Sequence, residues 1–158
     1  MGEVSLVLRA GAHLCGLRIA QVIETMRPLP VRRLAGVPSF VAGVSVIRGE
    51  PVPVIDLPAL LCGDPQRPER YVTVRGGRRP VALAVGSVLG VRPIPTESWR
   101  ELPLLLNSIG ADDPDGRRRA DLVEALCELD SQPLFVLRGA RVVPDEVWAA
   151  LDTDAVRR

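Results

Sequence analysis

The sequence predicts an all-β domain of two lobes, built from duplicated small barrels. Three observations predict it. Short Val- and Ile-rich runs alternate with Gly and Pro turns, the same order of elements occurs twice along the chain, and one hairpin can be read residue by residue. Closing such strands into barrels removes the open edges that would otherwise aggregate.

The elements follow in order. SLVLRAGAHL, from Ser5, reads as a strand running into a turn. LCGLRIAQVIETMRPLP, from Leu14, places a short apolar strand before an amphipathic helical turn and a second strand that runs out in Pro-Leu-Pro. FVAGVSVIRGEPVPVIDL, residues 40–57, is a β-hairpin: two apolar runs flank Arg48-Gly49-Glu50, where glycine permits the positive φ that tight hairpin turns need. LPALLCGDPQRPER then reads as a short helix and a linker, with Asp56 accepting from the first turn and Gly63-Asp64-Pro65 as the stop. YVTVRGGRRPVAL, from Tyr71, is another strand and turn, and VALAVGSVLGVRPIP, from Val81, reads as strand, apolar helix and strand. Residues 107–121 are polar and read as a long loop containing Arg117-Arg118-Arg119. The tail, residues 144–156, is helical with Val147, Trp148 and Leu151 on one face.

The duplication can be aligned. Leu17 falls on Leu83, Val22 on Val88, and, after a one-residue gap, Arg27-Pro28-Leu29-Pro30 on Arg92-Pro93-Ile94-Pro95. VAGVSVIRGEPVPVID from Val41 lies without gaps over VEALCELDSQPLFVLR from Val123, with Ile47 on Leu129, Pro51 on Pro133 and Val54 on Val136. The period is too long for a solenoid. Each half holds about five strands, which divides the domain into a first subdomain of residues 14–66 and a second of 67–143, with the N-terminal strand and the helix 144–156 packing across them.

Composition narrows function. A chain of 158 residues, 47% apolar and 25% charged, buries an ordinary globular core. No apolar run approaches the roughly 18 residues that span a bilayer, and the first residues lack the features of a secretory signal, so the cytoplasm is the expected address. The net charge of +1 offers no general attraction to nucleic acid, and aromatic residues, 3% of the chain, are too few for stacking platforms. All twenty basic residues are arginines, which excludes a P-loop lysine, a Schiff base and a Ser-Lys dyad. His13 is the single histidine and has no nucleophile near it in sequence, so no metal site and no catalytic residue is expected. Cys15, Cys62 and Cys127 sit among apolar neighbours and read as buried thiols.

Within the hairpin, residues 41–47 are apolar or small on both faces, so the second face needs a cover, from the other lobe or from a partner. Gly43 and Ser45, matched by Ala125 and Cys127, leave low bulk where another backbone can approach. Pro51 and Pro53 lack N–H groups along one side of their strand and read as protection of an edge.

Gly43, Ile47, Arg48, Gly49, Pro53, Val54, Asp56 and Leu57 match the signature G-x-x-N-L-R-G-x-x-x-P-V-x-D-L, and on these residues the chain resembles the CheW family of chemotaxis coupling proteins. The resemblance extends over residues 4–151. It implies two five-stranded SH3-like β-barrel subdomains side by side, with short connecting helices and a C-terminal helix. It also implies a non-enzymatic adaptor, without cofactor, that links chemoreceptor (methyl-accepting chemotaxis protein) tips to the regulatory domain of a CheA-type histidine kinase. Such a protein is peripheral to receptor arrays, with no nucleic-acid partner and no membrane insertion. The positions matching the family's receptor contacts are Val22, Glu24, Gly43, Val44 and Arg48. Kinase contacts fall near the barrel ends, at Gly49, Val52 and Leu134. Arg48 reads equally as a turn residue tying loops together, and Glu24 as a solvated partner of Arg27. The chain departs from the signature at Val46, where Asn is usual, and at Pro58, where a basic residue follows Asp-Leu. These departures leave a second reading open: a module of a specialised pathway that binds receptor alone or another regulator.

Overall fold

A computed structural model describes residues 2–76, 79–95, 122–138 and 143–156; the loop at 107–121 and its arginines lie outside them. The chain forms β1 (Gly2–Ala10), β2 (His13–Arg18), a 3-10 turn (Ile19–Gln21), β3 (Val22–Met26), β4 (Val41–Ile47), β5 (Glu50–Asp56) and α1 (Leu57–Cys62). After the linker come β6 (Arg70–Gly76), β7 (Arg79–Val85), β8 (Val88–Pro95), β9 (Val123–Leu129), β10 (Gln132–Leu137) and α2 (Asp145–Val156). Asp56 caps α1 by accepting from the Ala59 N–H at 3.0 Å, and Gly63 ends it in the left-handed conformation.

The strands make two five-stranded sheets, ordered β8-β1-β2-β10-β9 and β3-β6-β7-β5-β4. This order corrects the division at residue 66. Each sequence repeat gives its first two strands to one sheet and its last three to the other, so the repeats exchange strands rather than folding side by side. The physical reason lies in the parallel ladders. Val54–Asp56 run alongside Ala82–Ala84, and Leu134–Leu137 alongside Leu14–Leu17. A parallel neighbour cannot be reached through a tight turn and must come from a distant segment.

The duplication holds at single-residue resolution. Both hairpins skip one residue near the start of their first strand, making bulges at Ala42 and Glu124, and the first sheet's bulge at Leu89 corresponds to that at Ile23 in the second. Alternation along the strands then builds three cores. In β7, Val81, Leu83 and Val85 face a central core between the sheets, while Ala82 and Ala84 line the interior of their own lobe. Leu6 and Leu8 of β1 meet the central core and Val7 the first lobe's interior. Strands apolar on both faces follow directly.

Four local expectations change. Between β7 and β8 there is a bend instead of an apolar helix, because Gly86 and Ser87 exchange backbone hydrogen bonds with Arg9 at 2.8 Å. The strand β5 is internal, between β4 and β7, so Pro51 and Pro53 do not guard an edge. Val44 turns its backbone groups to Arg32; its register partner Pro53 therefore faces β7, where pairing begins only at Val54. Cys15 and Cys127 are buried, with burial raising the Cys15 thiol pKa, but Cys62 is exposed at the end of α1.

The cover over Gly43 and Ser45 comes from neither the other lobe nor a partner. It is the chain's own segment after β3. Arg32 and Val44 exchange two backbone hydrogen bonds at 2.8 Å, the Ser45 hydroxyl donates to the Pro30 carbonyl at 2.9 Å, and the Tyr71 hydroxyl donates to the Leu29 carbonyl at 3.1 Å. A Cβ on Gly43, whose φ is 143°, would stand 2.2 Å from the Arg32 oxygen. Gly43→Ala should therefore destabilise the fold by more than about 2 kcal/mol, through steric displacement of this strap together with backbone strain. Gly49→Ala, at φ 78° but with nothing within 4 Å, should cost only about 1 kcal/mol, and paired denaturant melts would separate the two.

Candidate functional site

The β4–β5 turn has both central residues left-handed, Arg48 at φ 53° and Gly49 at φ 78°, which matches the right-handed twist of its strands. That conformation points Arg48 back across the lobe to β3. Its Nη2 and Nε donate to the two carboxylate oxygens of Glu24 at 2.5 and 3.3 Å, a forked pair. Glu24 itself is fixed: its N–H donates to the Thr73 hydroxyl, which donates in turn to the Glu24 carbonyl, both at 3.2 Å. The Arg48 hydrogen bonds hold the Glu24 carboxyl below the usual carboxylate range, and Glu24 raises the guanidinium in return. Glu24 thus pairs with Arg48 and not with Arg27.

This latch joins the two outer strands of the second sheet, β3 and β4, while leaving the Arg48 side chain 76% exposed. Exposed aliphatic side chains stand close to it in sequence. Ile23 precedes Glu24 and is 47% exposed; Val46, two residues before Arg48, is 51% exposed on a strand that is otherwise largely buried. Val22 is half-buried against the central core.

Four of the residues expected at partner contacts require correction. Gly43 and Val44 lie beneath the strap at 29–32, and Val52 and Leu134 point into the two lobe interiors. They shape the surface from below and do not form it. Glu24, Arg48 and Gly49 remain accessible, with Val22 at their margin. Ile23 falls on the outward face of a strand whose burial alternates regularly, an aliphatic residue in a position that composition alone reads as core.

The other lobe carries a comparable latch with the charges exchanged, its arginine two residues beyond Gly90, the position that matches Glu24. Its β9–β10 turn also has two left-handed residues, Asp130 at φ 51° and Ser131 at φ 66°. Arg92 of β8 donates to both Asp130 carboxylate oxygens at 2.5 and 3.3 Å, depressing the Asp130 pKa. Among the described residues, no group of three or more His, Cys, Asp or Glu side chains could hold a metal ion, and no helix is long and apolar enough to cross a membrane.

With strand order, paired hairpins and latch in place, the comparison with known families is decisive. The sequence model of the CheW-like domain matches residues 5–147. The chain belongs to the CheW-like domain family. Among solved structures, this CheW-like chain superposes on the scaffolding protein TtCheW from Thermoanaerobacter tengcongensis with a TM-score of 0.71 at 23% identity, covering 90% of this chain and 92% of that one. The two share a fold of paired SH3-like lobes.

The latch makes a pH-dependent contribution whose sign is set. A carboxyl depressed in the folded state adds stability in full above its unfolded value, and that stability disappears as pH falls through the folded value. Arg48→Ala should return Glu24 to the ordinary carboxylate range in an NMR titration. The stability difference between the parent and this variant should shrink as pH is lowered below that range.

Proposed function

We propose that this CheW-like chain is a non-enzymatic adaptor that couples chemoreceptor cytoplasmic tips to the regulatory domain of a CheA-type histidine kinase in a chemosensory array. The observation that carries this reading is the latch surface: an arginine held in a fixed position yet largely exposed, with the exposed Ile23 next to Glu24 in sequence and the exposed Val46 two residues before Arg48. Apolar anchors bordered by a charged rim suit protein docking, and a held guanidinium loses less side-chain entropy on binding than a free one. Receptor contact is assigned to Glu24 and Arg48, with Val22, Ile23 and Val46 beside them. On the kinase side, Gly49 is the one expected position that remains accessible. The protein would act in the cytoplasm, peripheral to the receptors, with individually weak contacts strengthened by the many copies in an array.

A second reading has one observation in its favour. Val46 presents an aliphatic side chain where the family signature has Asn, so the partner surface differs in chemistry, which fits a module that binds receptor or another regulator without kinase coupling. Titrating the protein separately with a receptor-tip hairpin and a kinase regulatory domain distinguishes the two. Binding to both supports the coupler, and binding to the receptor tip alone supports the second reading.

Arg48→Glu should weaken receptor-tip binding at least about tenfold, the scale of a lost and reversed charge contact. The double variant Glu24→Arg/Arg48→Glu rebuilds the latch in the polarity already present between Arg92 and Asp130. It should regain stability but not binding. Full recovery of binding by the double variant would reduce Arg48 to a purely structural role.

A further inference from the structure

The strap that covers Gly43 lies within a stretch of one-sided charge. From Thr25 to Gly49 there are four arginines and no Asp or Glu, in a protein whose net charge is only +1. Arg48 is answered by Glu24. Arg27 and Arg33 are exposed, and among the described residues neither has an acidic partner. Arginines without acids among them leave this segment locally positive and attract an acidic ligand.

The strap is not a floppy loop. Pro28 and Pro30 restrict its backbone, and hydrogen bonds from Tyr71, Ser45 and Val44 fix it along β4, at a site kept open by the missing Cβ of Gly43. Beside it runs a groove of about 610 Å³. Its apolar lining includes Val31, Leu34, Val37 and Pro38, and Arg33 stands among them. The one acid in the groove, Asp56, is engaged as the cap of α1, accepting from the Ala59 N–H.

We infer that the strap and groove form a docking surface for an acidic, amphipathic segment of a partner protein, with carboxylates on Arg27 and Arg33 and an apolar side chain in the groove. Charge complementarity selects the acidic residues, and the apolar groove selects a peptide over a purely ionic ligand. This surface is separate from the Arg48 latch, since neither of its arginines takes part in that ion pair.

The test uses the whole chain, labelled with ¹⁵N, and a synthetic dodecapeptide of Glu-Glu-Leu repeats. Expected are chemical-shift changes centred on residues 27–42 that fade as salt rises, because exposed charges are screened beyond about 10 Å at 0.1 M. The peptide with Gln in place of Glu should bind at least about tenfold more weakly, as should the variant Arg27→Glu/Arg33→Glu. Arg27→Gln/Arg33→Gln should fall between, and both variants should melt like the parent, since these side chains support nothing in the fold. The inference is overturned by shifts centred elsewhere, by equal binding of the Gln peptide, or by unchanged affinity in the double variants. Preferential binding to phosphatidylserine vesicles over the peptide would also overturn it, assigning the arginines to a lipid surface.

Discussion

Four ladders that run from one half of the chain to the other hold this molecule together. Where β5 meets β7, β10 meets β2, β1 meets β8 and β3 meets β6, each half of the chain completes a sheet begun by the other. Neither half has a finished sheet of its own, and the central core exists only because residues from both halves face one another across it: Leu8 and Leu17 from the first, Val74, Leu83 and Leu137 from the second. The strand faces, the bulges and the positions of both hairpins are set by that exchange.

The lobes have kept this frame while diverging at its rim. Both close with a turn of two left-handed residues and a forked ion pair to an outer strand, yet the sign of the turn residue is reversed: arginine in one lobe, aspartate in the other. The pairing energy is indifferent to that reversal, whereas an approaching partner is not. An internal bond can thus be preserved while the outward charge of each lobe is free to specialise. The same separation appears at Gly43, where a backbone contact is internal business and the arginines above it are turned to solvent.

Local chemistry was legible in the sequence. The Arg48-Gly49 turn, the Asp56 cap, the C-terminal helix and the alignment of the two repeats are set by residues near one another, and each is found in the structure. The exchange of strands was not legible. Val and Leu runs advertise a strand but carry no address for its neighbour, so a chain read in order suggested lobes in order. Burial at the hairpin ends is hidden in the sequence for a related reason. Val52 and Leu134 flank hairpin turns, where exposure is the usual guess, but each is the strand residue whose side chain enters the barrel. Gly43 was recognised as a site of close approach; what approaches it depends on the fourteen or so residues after β3, whose path only the folded chain defines.

The exchange also sets a timetable for synthesis. A chain made from its N-terminus releases β1 and β2 as a bare hairpin, apolar on both faces, while their neighbours β8 and β10 are still to be translated. β3, β4 and β5 must likewise wait for β6 and β7 before their sheet closes. Folding to completion is therefore postponed until β10 emerges, and the high contact order this entails favours slow, chaperone-accessible maturation over lobe-by-lobe assembly.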